Sequence, residues 1–116
     1  MSTPRVESYS FGQMVVDGQK HTNDLILLPH RVVPNWWREE GHRLSSEDLQ
    51  DVLAARPDVL VVGTGAHGVM EVPQQTRKAV SEAGIDLRIA DTGKAWRLYN
   101  EEQARREAAG AFHLTC

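Results

Sequence analysis

The chain has 116 residues and a mass of 13.0 kDa, a length that fits one domain and leaves no room for two. Hydrophobic residues make up 41% and charged residues 25%, which excludes a disordered chain, a collagen and a coiled-coil rod. Its 13 basic and 16 acidic residues leave a formal charge of −3, without the basic excess or stripe that marks a nucleic-acid binder.

From the N-terminus, Val6 to Phe11 alternates apolar and polar residues, and Met14-Val15-Val16 runs into Asp17-Gly18, a hairpin-turn dipeptide. Leu25-Ile26-Leu27-Leu28 is a short apolar run before Pro29, so residues 6 to 28 predict two or three strands. Residues 29 to 44 hold two prolines, two tryptophans and a glycine in no clean period, and predict an irregular, partly extended segment. Ser45, with Asp48 three residues on and Leu44 and Leu49 spaced as a staple, predicts a helix start; Pro57 ends that helix. Val59-Leu60-Val61-Val62 is apolar on both faces, the pattern of a buried strand in a covered sheet. A second helix runs from Pro73 in its first turn to Gly84 as its stop, with Val72, Ala79, Val80 and Ala83 on one face. Leu87 to Ala90 is the next strand. Thr92 then caps a long helix over 93–109, with Glu101–Arg105 and Glu102–Arg106 paired on its surface. Gly110 stops it, and Ala111 to Thr115 is a final strand. This order predicts an α/β domain with a mixed sheet and helices packed on it.

Gly63-Thr64-Gly65-Ala66-His67-Gly68 follows the buried strand and matches G-x-G-x-x-G, and Asp91 closes the next strand where a ribose-binding acid would sit. That fingerprint requires a helix opening within the glycines, so that its free N–H groups face a pyrophosphate. Here residues 69 to 72 intervene before Pro73, Glu71 brings a negative charge, and the chain is too short for two mononucleotide-binding halves. The loop is therefore expected to turn the chain off the strand end and to bind no NAD or NADP. The alternative use is a smaller ligand held by N–H groups of residues 64 to 68, with Thr92 and Asn100 as side-chain donors.

The strand ending Val61-Val62-Gly63-Thr64-Gly65, then Pro73, Asp91-Thr92, Ala95 and Arg97-Leu98-Tyr99-Asn100, resembles the adipogenesis-associated Mth-type domain family over about Ser10 to Cys116. The resemblance implies a single compact α/β domain with a five-stranded mixed central sheet and a smaller β layer. The family includes bacterial and archaeal proteins of unknown function and a mitochondrial assembly factor of respiratory complex I, and it implies no secure catalytic residue. This chain departs from many members after Tyr99-Asn100, where Glu101-Glu102-Gln103 replaces apolar residues.

The other constellations are incomplete. His21, His30, His42, His67 and His113 form no H-x-x-x-H or Cys-rich pattern, and His113 and Cys116 point to opposite faces if both lie on one strand, so no metal is expected. Thr64 near His67 suggests a nucleophile and base, but a hydroxyl bonding turn backbone is the simpler reading. Tyr99 and Asn100 either bond a neighbouring loop or form the polar lip of a cleft. In Pro34-Asn35-Trp36-Trp37-Arg38, adjacent side chains of extended backbone diverge, so one tryptophan should pack inward and the other lie on the surface beside Pro34 and Arg38; the alternative is that both rings lie flat over the sheet edge as a lid.

A single cysteine, Cys116, excludes an internal disulfide and fits a reducing cytoplasm. The opening Met1 to Arg5 lacks the features of a signal peptide, and no segment approaches the ~20 apolar residues of a membrane span. The expectation is a cytoplasmic, non-catalytic protein-interaction or assembly domain that uses no cofactor and binds neither nucleic acid nor membrane. Its partner is another protein or a second copy. A small-molecule site or enzyme at Gly63–Gly68 is the alternative.

Overall fold

The computed structural model describes residues 3–116; Met1 and Ser2, read above as part of the opening stretch without a signal sequence, lie outside the described residues. Strands β1 (Val6–Ser10), β2 (Gln13–Val16) and β3 (Gln19–His21) form an antiparallel sheet in that order. The β2–β3 turn is Asp17-Gly18, with φ of 48° and 81°, and Val16 faces Gln19 across it. Both turn residues are left-handed, the conformation that Asp-Gly tolerates and a tight hairpin demands.

A second sheet contains β4 (Leu25–Leu28), β5 (Arg31–Val33), β6 (Val59–Thr64), β7 (Asp86–Ala90) and β8 (Ala108–His113), in the order β5-β4-β8-β6-β7. β6 runs parallel to β7 and β8, whereas β8 runs antiparallel to β4. A 3₁₀ turn (Ser46–Leu49) leads into α1 (Gln50–Ala55); α2 (Gln74–Glu82) joins β6 to β7, and α3 (Thr92–Gln103) joins β7 to β8.

The central sheet separates two apolar cores, and β6 feeds both. Leu60 and Val62 pack with Leu44, Leu49, Val52, Met70 and Val80 from the α1 and α2 side. Val59 and Val61 pack with Ala95 and Tyr99 of α3 and with Val6, Met14 and Val16 of the small sheet. Every residue of β6 and β8 is buried, the arrangement that unbroken apolar runs require.

Several boundaries differ from the sequence reading. The segment read as irregular over 29–44 contains β5, a short edge strand between Pro29 and Pro34. The helix expected over 93–109 ends at Gln103, and the last strand begins at Ala108 and ends at His113. Residues 108 and 109 are good helix formers, but the gap between β4 and β6 offers each a sheet hydrogen-bond partner and full burial. Gly110 is therefore not a helix stop. It lies within β8 under the Phe112 ring, where a Cβ would come within 2.5 Å of that ring and 3.1 Å of Tyr99. Arg105, now beyond the helix, pairs with Glu102 at 3.1 Å instead of Glu101; Arg106 reaches Glu102 at 2.8 Å, as its spacing indicated. Asp91, not Thr92, caps α3, its carboxylate accepting from the Lys94 N–H at 3.1 Å.

Candidate functional site

The glycine loop leaves the carboxyl end of β6 beside segment 114–116, which continues from β8. Gly65 has φ of +106°, and a Cβ there would overlap the Cys116 backbone, so only glycine lets the two segments touch. The loop's backbone donors face this segment: the Ala66 N–H donates to the Thr115 carbonyl at 2.6 Å and the Val69 N–H to the Cys116 carbonyl oxygen at 3.1 Å. The Gly65 N–H donates to the Thr92 hydroxyl at 2.9 Å, and the Gly68 N–H to the Gly65 carbonyl at 3.2 Å. Thr64 donates its hydroxyl to the Ala90 carbonyl at 3.2 Å, and His67 is exposed, its ring 6.4 Å from that of Phe11.

Thr92 is fully buried and joins three strands' ends. Its hydroxyl accepts from Gly65 and donates to the His113 carbonyl at 2.6 Å. Thr92→Val keeps the shape and orphans both partners. We expect it to cost about 1–3 kcal/mol in urea unfolding, because a buried unpaired polar group loses its hydration without compensation. An unchanged midpoint would show the hydroxyl to be dispensable.

Tyr99 and Asn100 reach the other way, to the N-terminal layer. Tyr99 donates to the Pro4 carbonyl at 2.6 Å, and burial keeps its phenol protonated far above the ordinary range. Asn100 closes a two-way clamp on Val6, accepting from its N–H at 3.0 Å and donating to its carbonyl at 2.7 Å. These bonds give an asparagine in a helix its reason.

The tryptophan pair diverges. Trp36 is 9% exposed and donates its indole N–H to the Asp48 carbonyl at 3.0 Å; Trp37 is 78% exposed. Pro34 is exposed, but Arg38 does not flank Trp37 at the surface. It turns inward to 7% exposure, its guanidinium 4.6 Å from the centre of the Trp36 ring. The inward turn has an electrostatic cause. Arg38 Nη2 lies 2.8 Å from Asp24 Oδ2 and donates to the Gly41 carbonyl at 2.8 Å. Asp24 also meets His113 Nδ1 at 2.8 Å and accepts from the Leu114 N–H at 2.8 Å. Burial alone would raise the Asp24 carboxyl, but the bonds from His113, Leu114 and Arg38 and the His113 charge outweigh it and hold it below the usual carboxylate range.

Asp24 escaped the sequence reading, and His113 entered it only as one of five histidines weighed for a metal. The available signal was an ionisable residue at the end of each of two apolar strands, where chain ends gather polar groups. Beside them, Thr22, Asn23, Asp24, Asn35, Trp36, Trp37 and Thr115 line an open groove of about 460 Å³. Among the described residues, no three of His, Cys, Asp and Glu come close enough to hold a metal, and no helix is long and apolar enough to cross a membrane.

A five-stranded mixed sheet flanked by helices and a three-stranded layer defines an α/β domain of the Mth938 type. The chain belongs to the family of proteins of unknown function DUF498/DUF598, which it matches over residues 6–113. It is similar to a conserved hypothetical protein of Pyrococcus horikoshii, at 25% identity and a TM-score of 0.82 over 97% of this chain and 99% of that one. It is also similar to a protein of Rhodopseudomonas palustris, at 32% identity and 0.74 over 97% and 87%. A Bordetella pertussis protein described as a Mth938-like domain shares the fold at 22% identity and 0.77, over 96% and 85%.

Proposed function

We propose that this domain is a non-catalytic protein-interaction or assembly module of the cytoplasm, docking a partner protein on the face around segment 114–116. One observation carries the reading. The exposed large hydrophobics among the described residues are Phe11, Trp37 and Val69, and each belongs to a stretch that adjoins that segment. The Gly12 N–H beside Phe11 bonds to the Leu114 carbonyl at 2.8 Å, Val69 bonds to Cys116, and Trp37 shares its groove with Thr115. Apolar side chains gathered on one face mark an interaction site more often than scattered ones do.

Trp37 is the anchor. The Trp36 N–H donates to the Asp24 carbonyl at 2.7 Å, and Arg38 is fixed by Asp24 and Gly41, so Trp37 is held out from a segment pinned on both sides. A preorganised aromatic loses little entropy on binding. The glycine loop supports the same reading, because the N–H groups of Gly65, Ala66 and Gly68 are already engaged within the chain.

Trp37→Ala should weaken partner binding by at least ~2 kcal/mol, roughly 30-fold, the loss of a central aromatic anchor. Its unfolding midpoint should change by no more than ~0.5 kcal/mol, because the ring is exposed. Affinity capture from native lysate, with quantitative mass spectrometry of proteins and metabolites, compares the variant with the parent. Sedimentation velocity detects self-association. Capture of the same proteins by both, with no change in self-association, would refute the anchor; a metabolite retained in place of a protein would refute the module.

A further inference from the structure

Arg38 and His113 leave buried nitrogen atoms unused. An arginine has five N–H donors. In Arg38 only Nη2 is engaged, donating to the Gly41 carbonyl and Asp24, while His113 Nδ1 lies 3.1 Å from it with its own proton directed at Asp24. Nε and Nη1 of Arg38 and Nε2 of His113 are buried without a hydrogen-bond partner. Their side chains are 4% and 7% exposed, so bulk water does not supply one. Unpaired charged donors are costly inside a protein, and native structures satisfy nearly all of them.

The charge balance indicates what completes the site. Asp24 is its one carboxylate, and its oxygens are already committed to Arg38, His113 and the Leu114 N–H. The ring of His42 stands edge-on to that of His113, with centroids 5.8 Å apart. His42 is itself exposed. One arginine and one imidazole thus meet a single carboxylate, with a second imidazole beside the first. A group that accepts several hydrogen bonds and carries negative charge fits the remaining donors, and an oxyanion does both. With His113 as an imidazolium, Nδ1 donates to Asp24 and Nε2 becomes a donor to the newcomer.

We propose that Arg38 and His113 form a binding site for a small oxyanion, a carboxylate or phosphate group, that enters past the exposed ring of His42. The site goes beyond the interaction reading and stands without it, since it uses neither Phe11, Trp37 nor Val69.

The test is a titration of the full chain, labelled with nitrogen-15, with sodium acetate, inorganic phosphate and sodium chloride at equal ionic strength. The Arg38 Nε–H and the His113 ring nitrogens are followed by NMR. A saturable shift of these signals with acetate or phosphate, absent with chloride, is expected; acetate alone assigns the site to carboxylates, and phosphate alone to phosphates. Arg38→Lys keeps a cation for Asp24 but removes the unused donors, and should abolish the saturation. If that variant does not fold, the wild-type titration still decides. Signals that stay put, or that follow chloride equally, overturn the proposal. So does a crystal grown in phosphate that shows only ordered water on Nε, Nη1 and Nε2.

Discussion

Val61→Asp is expected to leave the chain unfolded at room temperature. Val61 has no exposed surface, sits in a strand with neighbours on both sides, and packs against α3 and the small sheet. An aspartate there has no cation within the apolar core to pair with. Burying it, even after it takes up a proton, costs several kcal/mol, and the lost valine packing adds about 1.5–3 kcal/mol. The sum reaches the ~5–15 kcal/mol that holds a domain of this size together. Far-ultraviolet circular dichroism and a proton spectrum should both show a disordered chain. Val61→Ala is the graded control, expected to fold with a lowered midpoint. A folded Val61→Asp would mean that the β6 side chains are not enclosed as described.

Removing the Asp24 carboxylate should be nearly as damaging. Asp24→Ala strips the buried Arg38 of its counter-charge and leaves the Leu114 N–H without an acceptor. Breaking one side of a buried ion pair costs about 3–5 kcal/mol. At roughly 4 °C per kcal/mol for a domain of this length, the melting temperature should fall by about 12–20 °C. Because the carboxyl is held below its usual range in the folded state, its contribution is fully present above the ordinary carboxylate pKa. It is lost as pH falls through the lowered value. Urea unfolding of the parent and Asp24→Asn should therefore differ at neutral pH and converge in acid. A gap that stays constant with pH would show that the negative charge of Asp24 contributes nothing.

Local chemistry made much of the fold legible in the sequence. Asp17-Gly18 is a turn because its backbone demands are local, and Val59 to Val62 is buried because a strand apolar on both faces has nowhere else to go. The last helix and strand were harder to divide. The choice between helix and strand at Ala108 and Ala109 is made by partners distant in the chain: Val59 and Leu60 pair with them, and Leu27 with the next residue, Gly110. Trp36 and Trp37 separated as alternation requires, but the inward turn of Arg38 did not show in the sequence. Its cause is Asp24, fourteen positions earlier, and His113, seventy-five later. A polar cluster assembled from three separate loops and strand ends has no spacing to read. Asn100 was legible as an asparagine needing a reason, while its partner, the Val6 backbone, was not.

The position of β8 also orders events during synthesis. It is made after the four other strands of its sheet, yet it lies between β4 and β6, so the central sheet has no continuous middle until residues 108–113 are available. Until then β4 and β6 present apolar faces and open edges, which invite pairing with other chains. A ribosome adding roughly 5–20 residues per second takes several seconds to pass from β6 to β8. A stop codon or frameshift before Ala108 would yield a species prone to aggregation, not a smaller working domain.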